Sequence, residues 1–377
     1  MTTESQGSQD IYADIRPYND NEIADVIRRI THDAEFIEAM TKIRFPRLAK
    51  WAPWLMQPLV KQALIKKWAG LDSVAKVQDE VASYMQGMVN STTSKVTFSG
   101  LDQLKADQAY LFVSNHRDIA MDPAFVNWGL YHNKLGTVRI AIGDNLLKKP
   151  FVTDLMKLNK SFIVKRSATA PRAMMAAFSH LSAYIKDSLD TGNNIWIAQK
   201  EGRAKDGFDK TDPAIIKMFY MHGKKQKVDF AEYIKQLKIV PVAISYEYDP
   251  GDISKARELV ATEQDGKYEK SEFEDIISIM EGIKGKKGHV HVAFGQPLTA
   301  DFDNAEAVAQ AIDDSIYRQY YLHPSNLLAA KVPEAEKVTF VDRQAFEDHM
   351  NQVPEALRER VLAMYAQPVL NRAKVAK

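Results

Sequence analysis

Apolar positions along this chain follow two rhythms. One recurs every three to four residues, the spacing of a helix face. The other forms short unbroken or alternating runs, as buried strands do. From Asp20 to Met40 a helical stripe runs through Ile23, Val26, Ile27, Ile30, Ala34 and Ile37. A second stripe, Val74, Val77, Val81, Tyr84, Met85 and Met88, predicts a helix from Ser73 to Ser91. Strand-like runs follow at Lys95–Phe98, Tyr110–Ser114, Val138–Ile142, Lys160–Arg166, Asn194–Ala198, Lys238–Glu247 and His289–Phe294. Between them helical spacing covers Asp144–Leu158 with a break at Pro150, then Pro171–Leu189, Asp212–Gln226 and Asp229–Leu237. Past Ala300 only helices are predicted, over Ala305–Tyr321, Arg343–Asn351 and Pro354–Ala373. Strands alternating with helices predict an α/β fold, a mixed sheet flanked by helices. The pattern divides the chain into an N-terminal helical region (1–92), an α/β domain (93–300) and a C-terminal helical extension (301–377). Pro241, inside one apolar run, lacks a ladder donor and predicts a local edge or bulge.

Composition narrows this only slightly. With 45% hydrophobic and 26% charged residues the chain is globular, and a net charge of +1 gives no sign of a nucleic-acid partner. It has no cysteine, so a disulfide, a thiolate nucleophile and a cysteine-ligated zinc are excluded. The first ten residues are polar, read as disordered, and carry no secretory signal. No run approaches the 18 or so apolar residues that span a bilayer, so any membrane contact is expected to be peripheral. One stretch invites such contact. Residues 43–68 hold three tryptophans, Trp51, Trp54 and Trp68, and six Lys or Arg, with no acidic residue. Tryptophan prefers the bilayer interface and cations are drawn to anionic headgroups, so the stretch reads as an interfacial helical hairpin. A helix pair packed on the main domain, with lysines as its wet face, fits the same pattern.

The chemistry centres on Ala109–Pro123. A buried strand ends at Ser114, a polar loop carries Asn115, His116, Arg117 and Asp118, and Asp122-Pro123 signals a helix start. His116 thus sits at the carboxyl end of a strand, where α/β folds collect catalytic groups. Asp118 and Asp122 are both available to orient it. The run Asn115-His116-…-Asp122-Pro123 resembles the first motif of the glycerolipid acyltransferases, with five residues rather than four between His and Asp. Three later stretches resemble the family's other motifs in order: Phe162-Ile163-Val164-Lys165-Arg166, then Glu201-Gly202-Arg203 after an apolar strand, then Ile239-Val240-Pro241-Val242. The third lacks the residue between Gly and Arg, and Gln199-Lys200 replaces its usual Phe-Pro.

The resemblance implies acyl transfer from acyl-CoA or acyl-carrier protein, without a cofactor or metal, to a lysophospholipid hydroxyl. Lysophosphatidic acid is the first candidate acceptor and glycerol-3-phosphate the second. It implies His116 as base with Asp122 as partner, Asp118 remaining the alternative. Arg166, Glu201, Gly202 and Arg203 would bind the acceptor, with Asn115 and Lys165 in support. It places the protein peripherally on the cytoplasmic face of the membrane. Two other classes stay open: a hydrolase using a serine such as Ser114, and a lipid binder without turnover. His289 and His291 share a strand face, but no carboxylate or third histidine stands near them in the sequence, so they read as structural. The Gly282–Gly288 stretch reads as a flexible basic loop.

Overall fold

The computed structural model describes residues 10–167, 170–269, 271 and 274–375. The polar start of the chain, read as disordered, lies outside them up to residue 9. In chain order the elements are α1 (Asp20–His32), α2 (Ala34–Arg44), α3 (Pro46–Trp51), α4 (Pro53–Trp68), α5 (Val74–Thr92), β1 (Thr93–Ser99), β2 (Leu111–Ser114), α6 (Met121–His132), β3 (Arg139–Gly143), α7 (Pro150–Leu158), β4 (Ser161–Val164) and α8 (Pro171–Asp190). Then come β5 (Ile195–Ala198), α9 (Pro213–Lys225), α10 (Phe230–Gln236), β6 (Ile239–Tyr246), α11 (Asp252–Asp265), α12 (Glu274–Lys284), β7 (Gly288–Phe294), α13 (Ala305–Gln319), α14 (Pro324–Ala330), α15 (Phe340–Gln352) and α16 (Glu355–Val375). They form two compact units. One gathers the described residues up to Tyr84 together with Arg139–Ala177. The other gathers Met85–Val138 and everything described from Phe178 onward.

In the first unit the expected helix from Asp20 to Met40 is two. Asp33 leaves the helix and its carboxylate accepts the N–H of Phe36 at 2.8 Å, starting α2 afresh. Ile23, Val26, Ile27 and Ile30 are buried as the stripe requires, but Phe36 and not Ala34 continues the core. Phe36 stacks on Trp68, with ring centroids 5.9 Å apart. In α4, Val60, Leu64 and Trp68 face inward at helical spacing, while Trp54, Leu55 and Leu59 are exposed. Strands β3 and β4 pair in parallel in this unit.

The second unit holds five strands of a mixed sheet, ordered β1-β7-β6-β2-β5. β1 runs parallel to β7, β7 antiparallel to β6, and β2 parallel to both β6 and β5. Every residue of β2 and β6 is buried, which is why both read as continuous apolar runs. β6 is an inner strand, yet at Pro241 it is locally an edge on the β7 side, as the proline requires. Pro241 pairs with Val113 on one side, and the pairing with β7 begins only at Val242. Its missing N–H falls where β7 has ended, and its carbonyl accepts the N–H of Gly295 at 2.8 Å.

The boundaries at 92/93 and 300/301 differ from this division. Helix α13 packs on β6, and α16 packs on α11, α13 and α14. The apolar face of α16 shares a core with α11 and α15, where Tyr248 and Ala256 meet Phe346, Leu357, Val361 and Met364. The C-terminal helices are thus part of the second unit. Helical spacing also missed α14, which is only two turns long and opens at Pro324.

Candidate active site

The end of β2 is fixed by side chains as well as by the ladder. Ser114 lies level with Ala198 of β5 and Val242 of β6. One residue on, the Asn115 side chain takes over the pairing. Its Oδ1 accepts the N–H of Ile244 at 2.8 Å and its Nδ2 donates to the Ile244 carbonyl at 2.9 Å. The backbone is thereby free to leave the sheet, and His116 starts the loop at the carboxyl end of the strand.

Helix α6 then brings Asp122 back beneath that loop. His116 Nδ1 lies 2.9 Å from Asp122 Oδ2. The same oxygen accepts the N–H groups of Arg117 at 2.6 Å and Asp118 at 2.9 Å. Asp122 is fully buried, whereas the imidazole keeps 14% of its surface exposed. With Nδ1–H donating to the carboxylate, Nε2 carries the lone pair, the arrangement needed in a base. The fifth intervening residue is taken up by the loop from Arg117 to Ala120. Asp118 does other work: its Oδ1 accepts the N–H of Ala120 at 3.0 Å and of Met121 at 2.8 Å, capping α6. Burial, and after it the charge of Asp122, push the Asp118 carboxyl up from its ordinary range. Gly282 of α12 closes directly over it, since a Cβ there would stand 2.1 Å from Asp118 Oδ2.

The loop after β5 lies against the His116 loop. Gln199 N–H donates to the Ser114 carbonyl and Ala204 N–H to the His116 carbonyl, each at 2.8 Å. Glu201, Gly202 and Arg203 fill the span between those two bonds. Gly202 has φ +75 with open space around it, so the turn, not crowding, calls for glycine. Glu201 is exposed, and Arg203 Nη1 meets the Ser278 hydroxyl of α12 at 2.6 Å.

Residues 95–245, which contain both loops, match the family model described as Acyltransferase. Over that stretch the chain is similar to the acyltransferase family. No curated protein matches the chain. Among solved structures it is similar to the 1-acyl-sn-glycerophosphate (LPA) acyltransferase PlsC from Thermotoga maritima, at 15% identity over 78% of this chain and 92% of that one. The TM-score is 0.36.

The surroundings of the His116 loop hold further residues that sequence reasoning passed over. Arg117 Nη2 pairs with Asp209 Oδ2 at 2.5 Å, both buried. Burial opposes the Arg117 charge, but Asp209 outweighs it and raises the pKa. Lys255, 2% exposed, donates to the Arg117 carbonyl at 2.6 Å and pairs with Asp249. Tyr246 donates to Asp122 Oδ1 at 2.7 Å. Of these only Tyr246, a polar residue closing an apolar strand, leaves a signal in the sequence. Ser114, the candidate hydrolase nucleophile, is fully buried. It donates to the Asn115 carbonyl at 2.8 Å and accepts from the Trp196 indole at 3.0 Å, which suits a strut and not a nucleophile.

Arg166 and Lys165 lie in the first unit, past the end of β4. Arg166 N–H donates to Asp144 Oδ1 at 3.0 Å and its side chain lies across Gly143. Lys165 pairs with Asp14, so the two cations have separate surroundings. His289 and His291 both bond to the Thr97 hydroxyl, at 2.6 and 2.7 Å. The fold does supply a third histidine, since the His323 ring centroid is 5.0 Å from that of His289. Even so, no group of three or more His, Cys, Asp or Glu among the described residues is arranged to hold a metal. The stretch read as a flexible basic loop is anchored. Lys287 is fully buried and donates to Thr92 Oγ1 at 3.0 Å and the Gly285 carbonyl at 2.9 Å, and burial pulls its pKa down to about 8. An open groove lined by Gln103, Pro297, Leu298 and Arg318 lies at the other end of β6, away from His116.

Proposed function

We propose that this acyltransferase moves a fatty acyl chain from acyl-CoA or acyl-carrier protein to the free hydroxyl of a lysophospholipid. Lysophosphatidic acid is the first candidate acceptor and glycerol-3-phosphate the second. The observation that carries the reading is the 2.9 Å bond between His116 Nδ1 and Asp122 Oδ2 at the carboxyl end of β2. In the scheme, His116 Nε2 takes the proton of the acceptor hydroxyl as its oxygen bonds to the thioester carbonyl carbon. The tetrahedral adduct then expels the thiolate, which recovers that proton from the imidazolium. Asp122 holds the tautomer and stabilises the imidazolium, and positioned base catalysis of this kind contributes about 10²–10⁴-fold. The substrate's own hydroxyl is the nucleophile, so the scheme asks for neither cysteine nor cofactor. Arg203, on the loop bonded to the His116 carbonyl, is the cation proposed for the acceptor's phosphate, because a guanidinium matches phosphate oxygens bidentately. Glu201 and Gly202 shape that loop.

We also propose that residues 43–68 hold the protein peripherally on the membrane side that meets the thioester donor. Support comes from Trp51 and Trp54, which are 82% and 75% exposed, and from exposed Leu48, Leu55 and Leu59. Trp68 takes no share, being buried on Phe36. No helix among the described residues is long and apolar enough to cross a membrane.

The test is thiol release from a long-chain acyl-CoA, with lysophosphatidic acid, glycerol-3-phosphate, a neutral lysophospholipid or no acceptor, for wild type and His116→Ala. Release that requires an acceptor and falls by about 10²-fold or more in the variant is expected. Release without any acceptor would instead make the protein a thioesterase. Silence with both acyl-CoA and acyl-carrier-protein donors would favour a lipid binder.

A further inference from the structure

The two oxygens of Asp122 are held in different ways. Oδ2 collects three donors, His116 Nδ1 and the N–H groups of Arg117 and Asp118. Oδ1 takes the Tyr246 hydroxyl, at 2.7 Å. Neither partner is open to water, Asp122 being 0% and Tyr246 4% exposed. Tyr246 closes β6, two residues past the point where Asn115 bonds to Ile244, and its ring stands edge-on to Phe125 of α6, 5.9 Å away. The helix that carries Asp122 thus also fixes the ring that holds it. Burial first, and the charge of Asp122 second, push the phenol well above its ordinary pKa, so it stays a donor.

We propose that Tyr246 is a positioning residue for the His116–Asp122 pair. Its hydroxyl sets the rotation of the carboxylate so that Oδ2 faces Nδ1. A buried carboxylate oxygen stripped of its donor is costly, and the group turns to recover one. Turning about the Cβ–Cγ bond would take Oδ2 away from the imidazole and from two backbone N–H groups at once. Tyr246 neither gains nor loses a proton in this role. The kinetic consequence rests on the acyl-transfer reading, while the geometric one does not.

Tyr246→Phe keeps the ring and removes the oxygen. The matched control is Tyr220→Phe, which removes a hydroxyl that donates to the Val228 carbonyl at 2.8 Å on α9. The primary readout is the low-field Nδ1 proton of His116 in the full chain, assigned by its loss in His116→Ala. We expect it to move upfield in Tyr246→Phe and to stay in place in Tyr220→Phe. In the thiol-release assay, kcat should fall about tenfold with KM unchanged, and the acid limb of kcat/KM should move to lower pH. A wild-type spectrum without that proton would overturn the proposal, as would a proton and pH profile unchanged in Tyr246→Phe; the tyrosine would then be packing alone. If the proton moves in a protein that shows no acyl transfer with any donor, the positioning role stands and the proposed reaction falls.

Discussion

Two aspartates four positions apart, both buried, do opposite things to this molecule. Asp122 gathers donors on both oxygens. Asp118 caps a helix under a roof with no room for a side chain at position 282. Asp122→Asn should therefore keep the fold but lose activity by about 10²-fold or more, since an amide favours the wrong imidazole tautomer. Asp118→Asn should keep activity and raise stability. The amide oxygen can still accept from Ala120 and Met121, and the variant never has to bury a charge. The Asp118 pKa is raised in the folded state, so its contribution to stability is fully present below the unfolded pKa and is lost as pH rises through the folded one. The melting temperature of Asp118→Asn relative to wild type should thus climb as pH rises above the ordinary carboxylate range. A gap that is constant with pH would mean that Asp118 has another partner. The pairing of His116 with Asp122 was legible because only five residues and one loop separate them. Tyr246, Asp209 and Lys255 were not, since they meet this loop from 92 to 138 residues away, on a strand, a loop and a helix that only the tertiary fold brings to it.

At the scale of elements, what was legible followed burial. Fully buried strands announce themselves as apolar runs, and α1 and α5 as stripes. What was not legible followed hydrogen bonds. Asp33 splits one stripe into two helices with a single carboxylate. The role of α16 was invisible for the same reason, since its link to the chemistry is polar and distant. Asn371 donates to the Gly207 carbonyl at 3.0 Å, and the loop it holds supplies Asp209 to Arg117. Arg117 in turn gives its N–H to Asp122. Asn371→Ala should cost about 1–2 kcal/mol of stability, the usual effect of a broken buried bond. It should also lower acceptor-dependent turnover several-fold at temperatures where the variant is fully folded. A melting-temperature drop with turnover intact would confine α16 to packing.

Over the whole molecule the charges nearly cancel, at a net +1, so affinity for an anionic surface has to come from where charge is placed. Residues 43–68 carry six cations and no acid, and one of the six, Lys67, is already paired with Glu80. Five remain beside two exposed tryptophans. Each basic residue near an anionic surface is worth about 1 kcal/mol, and that attraction is confined to a Debye length of about 10 Å at 0.1 M salt. Tryptophan insertion depends on apolar area and is insensitive to salt. The two contributions can therefore be separated by vesicle sedimentation. Wild type should bind vesicles with anionic lipid more tightly than neutral ones, and raising the salt should erase the difference while leaving a residual binding. Trp51→Ala with Trp54→Ala should remove that residual, about tenfold or more, without changing the melting temperature, because neither ring helps build the core. Binding that survives the double substitution would detach this segment from the membrane. A lower melting temperature would return it to the bland role of a helix pair packed on its own unit.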